Sequence, residues 1–208
     1  MAPTRYAILL DGAFVVKKLE QASATHAFPT VADIVDFCAT LKTDPTLQNK
    51  ELLRIYYYDA LPPKHSITNP ISGTRFNLAA NPRFQQNSKL LTALELMDDF
   101  AVRLGKVNGK GFKIGKAAMQ ELMRRNRPLV ANDLVPNINQ KGVDLRIGLD
   151  ISKLALERLV ETIIVTTGDS DLVPAFKFAR RAGIRLYIHT MGHGVLPELK
   201  IHSDKVLG

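Results

Sequence analysis

Two kinds of apolar spacing alternate along this chain. Residues 5–10 (RYAILL), 52–58 (LLRIYYY) and 161–165 (ETIIV) are near-continuous apolar runs, rich in β-branched and aromatic residues. That composition belongs to strands buried on both faces. Between them, apolar residues recur at helical spacing: Ile34, Val35, Cys38 and Leu41, then Leu90, Leu91, Leu94 and Met97, then Ile147, Ile151 and Leu154. Each set marks a helix with one buried stripe. Thr30 and Asp33 read as a capping box that opens the first of these helices. Pro174 suits a first helical turn and Gly183 a C-terminal cap, which predicts a helix over 174–182. Further strands at 100–107 and 184–188, and helices at 13–19, 117–125 and 143–159, complete the pattern. A polar loop is expected from 61 to about 81, and irregular chain over 128–139. The glycine-containing basic run 105–116 does not join a strand to a helix, so it reads as a loop or hairpin and not as a dinucleotide fingerprint. Alternation of this kind predicts an α/β fold, a mostly parallel sheet with helices on both faces. One domain over 1–208 is expected, with a basic, irregular decoration within about 62–140.

Composition narrows the class. With 208 residues, 46% hydrophobic and 23% charged, the chain can bury a sizeable core. No apolar run approaches the ~18 residues of a membrane span, so no membrane partner is expected. The first residues pass directly into a strand, which predicts no signal peptide. Cys38 is the single cysteine and cannot form an internal disulfide, in keeping with a reducing, cytoplasmic location. Its place on an apolar helix face makes it a buried thiol, not a nucleophile. The formal charge is +8, and its distribution matters more than its size. Residues 101–130 hold Arg103, Lys106, Lys110, Lys113, Lys116, Arg124, Arg125 and Arg127 against Glu121 alone, which is eight minus one, or +7. Such a segment suits binding to phosphates, and a solvated basic surface is the plainer alternative.

The chemistry is carried by aspartates at strand ends. Asp11 closes the first strand, and Gly168, Asp169, Ser170 and Asp171 follow the strand at 162–167. In parallel sheets, ligands bind outside the carboxyl ends of the strands, so adjacency of these two strands brings three carboxylates together. At ~4 Å and an effective dielectric of ~20, each pair repels by ~4 kcal/mol, which calls for a cation or a proton. Oxygen-only donors suit Mg²⁺ or Mn²⁺ better than zinc. In the helix from 143, Asp144 and Asp150 lie ~120° apart around the axis and ~9 Å along it. Asp144, in the first turn, is therefore the direct ligand and Asp150 a supporting group. Helix-capping acids are the structural alternative for each aspartate taken singly. Tyr56, Tyr57 and Tyr58 invite base stacking, but strand alternation sends them into the covering layers as core. His189 and His193 lack partners at zinc spacing and read as surface or hinge residues.

Residues 6–12 (YAILLDG), 141–150 (KGVDLRIGLD) and 165–174 (VTTGDSDLVP) together resemble the NYN domain of the PIN-like nuclease superfamily, with the LabA-like bacterial members most similar in appearance. The resemblance implies a PIN-like Rossmannoid fold. It also implies an Asp11, Asp144, Asp169 and Asp171 cluster that binds Mg²⁺ or Mn²⁺ and supports hydrolysis of RNA phosphodiester bonds. On that reading Thr167 and Ser170 orient a ligand or phosphate oxygen, and Lys141, Arg103, Lys106, Lys110, Lys113 and Lys116 follow the RNA backbone. The chain departs from many relatives at 11–14, where Asp-Gly-Ala-Phe lacks an asparagine. Two other readings remain, a non-catalytic RNA-binding or regulatory protein on the same fold, and a haloacid-dehalogenase-type phosphatase. The latter needs a second acid two residues after Asp11, where Ala13 stands. Monomer and homodimer are both open.

Overall fold

The computed structural model describes residues 4–61 and 63–208, with side chains at all of these except 108, 110, 139 and 140. Seven strands form the main sheet: β1 (Thr4–Asp11), β2 (Lys50–Ala60), β5 (Phe100–Ile114), β6 (Leu134–Lys141), β7 (Thr162–Thr166), β8 (Arg185–His189) and β9 (Lys205–Leu207). Their order is β6-β5-β2-β1-β7-β8-β9, and all neighbouring pairs are parallel except β5 with β6. A small hairpin, β3 (Ser66–Thr68) with β4 (Arg75–Asn77), sits in the polar segment expected to be loop.

The apolar runs are continuous because the central strands are covered on both sides. In β1, Tyr6, Ile8 and Leu10 enter one core and Ala7 and Leu9 the other. The first core is closed by α1 (Gly12–Ala22), α2 (Val31–Lys42) and α3 (Pro82–Leu94), the second by α5 (Val143–Leu156), α6 (Val173–Arg181) and α7 (Pro197–Ile201). The Thr30–Asp33 capping box forms as expected, and Cys38 is buried with its thiol pushed up to about 12 by that burial. Tyr56, Tyr57 and Tyr58 are all core residues. Gly183 ends α6 at φ +88°, the left-handed cap its position predicted.

Two expectations fail at β5 and β6. The basic run forms no separate loop or hairpin but prolongs β5 to Ile114, and its antiparallel partner β6 takes up residues 134–139 of the stretch expected to be irregular. Residues 100–105 pair with β2, and from Lys106 onward the partner is β6. The two strands therefore run past the end of β2 as an arm, which carries α4 (Lys116–Arg124), a helix with no buried residue. Polar and glycine-rich strands of this kind give no alternating apolar signal, so the apolar pattern, which marks a strand at 100–107, is silent on the rest of β5 and on β6.

Tight contact fixes the turn after β1. A Cβ on Gly12 would lie 2.6 Å from the Tyr58 carbonyl oxygen and 2.7 Å from the Tyr57 ring, whereas one on Gly148 would meet the Ala175 Cβ at an ordinary 3.6 Å. Gly12→Ala is therefore expected to destabilise the protein by about 1–3 kcal/mol, and Gly148→Ala to stabilise it by up to about 1 kcal/mol. Urea unfolding of the two variants checks the opposite signs.

Candidate functional site

Strand order determines where a crevice can open. The chain leaves β1 toward β2 and β5, then returns to β7 on the other side of β1. The helices that follow β1 and β7, α1 and α6, accordingly cover opposite faces. Such a switch point leaves a gap at the carboxyl ends of the two strands, the place where ligands bind in open α/β sheets. Leu10 is in register with Thr166, so Asp11 and the Thr167–Asp171 turn emerge side by side.

Thr167 ties the two acidic strand ends together. Its buried hydroxyl donates to Asp11 Oδ2 at 3.2 Å and accepts from the Asp169 N–H at 3.1 Å. Asp11 is also the N-cap of α1, with Oδ1 accepting from the Phe14 N–H at 3.2 Å. Asp169 caps the 3₁₀ turn Ser170–Leu172 by accepting from the Asp171 N–H at 2.9 Å. Both acids thus do the capping work of the structural alternative while facing the crevice. Ser170 opens that turn and makes no side-chain hydrogen bond among the described residues. The Phe14 ring lies against Gly168, where a Cβ would come within 2.7 Å of it, and closes one wall.

Asp144 enters from the first turn of α5, which starts beside Gly105 at the same sheet edge. Its carboxyl is pushed above the ordinary range, by partial burial first and then by Asp169 and Asp171. Asp11 is pushed up to about 6, chiefly by burial, with Asp144 and Asp169 adding repulsion against the hydrogen bonds from Phe14 and Thr167. Four carboxylates therefore share one field. Among the described residues, no group of three or more His, Cys, Asp or Glu side chains is already drawn together as a metal-holding group. In donor chemistry the set fits a hard divalent cation, with oxygen donors only and charge that a cation would compensate.

Asp150 stands apart from this group. It accepts from the Tyr58 hydroxyl at 2.9 Å and pairs with Arg103 Nε at 3.2 Å, and the Arg103 guanidinium lies over the Tyr56 ring. Arg103 is thereby drawn into a structural knot. Arg127 is likewise held, by a bidentate pair with Asp133 and an ion pair to Glu121, and Arg125 also pairs with Glu121. The segment is thus less basic than its composition, because Asp133, just beyond residue 130, spends one of its charges. Lys106, Lys113, Lys116 and Lys141 are exposed on the arm, and Lys106 sits directly opposite Lys141 in the ladder. The Lys110 side chain lies outside the described residues. His193 is exposed, but His189 is packed, edge-on to Phe37 at 5.2 Å with Nδ1 accepting from the Met191 N–H. Its ring is therefore part of the core margin and not a surface group.

Residues 99–206 match the family model described as NYN domain, a span that covers β5 to β9 and leaves Asp11 outside. A protein of Sinorhizobium fredii, named uncharacterized protein y4oD, is 28% identical over 116 residues, 54% of this chain and 42% of that protein. The chain thus spans less than half the length of that relative. The crystal structure of a protein of unknown function, VPA0982 from Vibrio parahaemolyticus, superposes with a TM-score of 0.52 at 17% identity, over 99% of this chain and 92% of that one. That likeness is one of fold. Among the described residues, no helix is long and apolar enough to cross a membrane.

The raised Asp11 carboxyl has a consequence for stability. Between its ordinary value of 3.8 and about 6, the folded protein keeps a proton that the unfolded chain has released. Stability therefore falls as pH rises through that window and stays lower above it. Asp11→Asn preserves the cap and removes the charge, so in chelator it is expected to exceed the wild type by about 1–3 kcal/mol at neutral pH. The two should converge below about pH 4, as followed by urea unfolding.

Proposed function

Since the chain belongs to the NYN domain family, a branch of the PIN-like nuclease superfamily, we propose that it is a ribonuclease that uses Mg²⁺ or Mn²⁺ to hydrolyse RNA phosphodiester bonds. The observation that carries this reading is the gathering of Asp11, Asp144 and Asp169 at the β1–β7 switch point, with Asp11 pushed up to about 6. Enclosure of the Asp11 carboxylate within the field of Asp144 and Asp169 is costly, and a divalent ion is the ligand that reverses the cost. Asp11, Asp144, Asp169 and Asp171 would hold the metal, which when bound supplies an activated water and neutralises charge on the scissile phosphate.

The chain's own residues supply position and charge. The Thr167 hydroxyl fixes one Asp11 oxygen and the Asp169 backbone, so the two strand ends move as one unit. The Ser170 hydroxyl, which makes no hydrogen bond among the described residues, would donate to a phosphate oxygen. Lys106 and Lys141 oppose each other across the β5–β6 ladder, an arrangement of like charges that is unfavourable until an anion lies between them. With Lys113 and Lys116 they give the arm affinity for a phosphate backbone without reading sequence. Asp150 acts from a distance, by holding Arg103 and Tyr58 behind α5.

A second reading keeps the fold and the RNA but not the chemistry. It is favoured by the absence of a formed metal-ligand group among the described residues and by the Phe14 ring over Gly168. The two are separated by following cleavage of single-stranded RNA with Mg²⁺, Mn²⁺ or chelator. Cleavage is expected with metal, to be abolished by chelator, and to fall by at least about a hundredfold in Asp169→Ala with Asp171→Ala. Wild-type-like cleavage in either control sinks the metal mechanism, and RNA binding without cleavage supports the second reading.

A further inference from the structure

The outer surface of α6 connects two depressions. At its N-terminal end an apolar groove of about 410 Å³ begins at Asp144 and Asp171 and is floored by Leu145, Leu149, Pro174 and Phe178. Leu145, Leu149 and Phe178 are 65%, 59% and 40% exposed, too open for core residues of their size. At its C-terminal end a wider depression of about 650 Å³ is lined by Lys177, Arg180, Arg181 and Arg185 against Asp204 alone. Arg180 is taken by Asp204 and the Ile201 carbonyl, whereas Lys177, Arg181 and Arg185 form no ion pair among the described residues. Pro174, Phe178 and Arg181 follow one another at helical spacing, and Lys177 adjoins them, so one exposed stripe runs the nine residues of α6, about 13 Å. His202, at the basic end, is held below its usual range by burial and then by Lys177 and Arg180. The field there is positive.

We propose that α6 is a track for single-stranded RNA, on which the strand leaves the acidic edge, stacks a base on Phe178 and lays its phosphates on Lys177, Arg181 and Arg185. This deepens the reading of an RNA substrate, on which it rests. The occupant follows from charge and chemistry together. Unpaired cations beside an exposed aromatic ring and aliphatic side chains match a polymer with alternating phosphates and flat bases, the combination on which single-strand binding depends. The order along the helix, acids first, then apolar groove, then cations, also gives the strand a direction away from the reacting phosphate.

Fluorescence anisotropy of labelled oligouridylate in chelator measures binding with no cleavage. Lys177→Glu with Arg181→Glu is expected to weaken binding by about tenfold or more and to lower the salt slope by about 0.7 for each phosphate no longer neutralised. Phe178→Ala is expected to weaken it about fivefold or more with the salt slope unchanged. All three side chains are exposed, and circular dichroism verifies that the variants fold. Wild-type affinity and salt slope in the α6 variants overturn the proposal, as does a Phe178-dependent dimer in sedimentation with unaltered RNA binding. Cleavage that persists with those results leaves the nuclease reading standing. Binding that depends on α6 in a chain that cuts nothing supports the track and removes the nuclease.

Discussion

A sheet covered on both faces has only its edges and strand ends left for chemistry, and the rest of this structure follows from that restriction. Tyr6, Ile8 and Leu10 are buried on one side of β1 and Ala7 and Leu9 on the other, so from Tyr6 to Leu10 the strand that carries Asp11 offers solvent nothing. Past that buried stretch, the first polar residue is Asp11, at the strand's carboxyl end. The same holds for β7, whose five residues are all buried and whose first acid comes after Gly168. Reversal of strand order between β1 and β7 sends their helices to opposite faces and separates them at this point.

Electrostatics then set the character of the crevice. Asp11 is largely enclosed, and its neighbours at the same edge are further carboxylates. The hydrogen bonds from Thr167 and Phe14 lower its proton affinity, but burial outweighs them. A group raised in this way is a proton or cation acceptor near neutral pH, which is the chemistry expected of a site for a hard metal. Phe14 serves here as a wall against the Gly168 turn.

Positive charge is divided between two places of different origin. On the arm, β5 and β6 hold lysines in register, and several of the segment's arginines are neutralised locally by Glu121, Asp133 and Asp150. On α6, Lys177, Arg180 and Arg181 belong to a short basic run that ends at Arg185 and lies outside the 101–130 segment. They become a surface only when the helix brings them onto one stripe beside Arg185 of β8. A tally of charge over 101–130 overstates the first patch, and no tally shows that the second lies on one stripe beside an apolar groove.

The sequence by itself determined the layers of the fold and the identity of the acids. Buried strands and one-faced helices differ in the period of their apolar residues, and that period is a local property, so β1, β2, β7 and helices α2, α3, α5 and α6 were legible. The capping box at Thr30 and the glycine cap at Gly183 were legible for the same reason. The aspartates after β1 and β7 stood out because they interrupt apolar runs at the point where a parallel sheet has to expose something. What only the tertiary structure decided was pairing: which strands lie adjacent, which carboxylates come within each other's field, and which cations are already taken. Asp150 belongs to Arg103 and Tyr58, and the polar arm of β5 and β6 is held by backbone hydrogen bonds that no side-chain pattern announces. Pairing depends on residues far apart in the chain, and distances between them are set by packing, not by spacing.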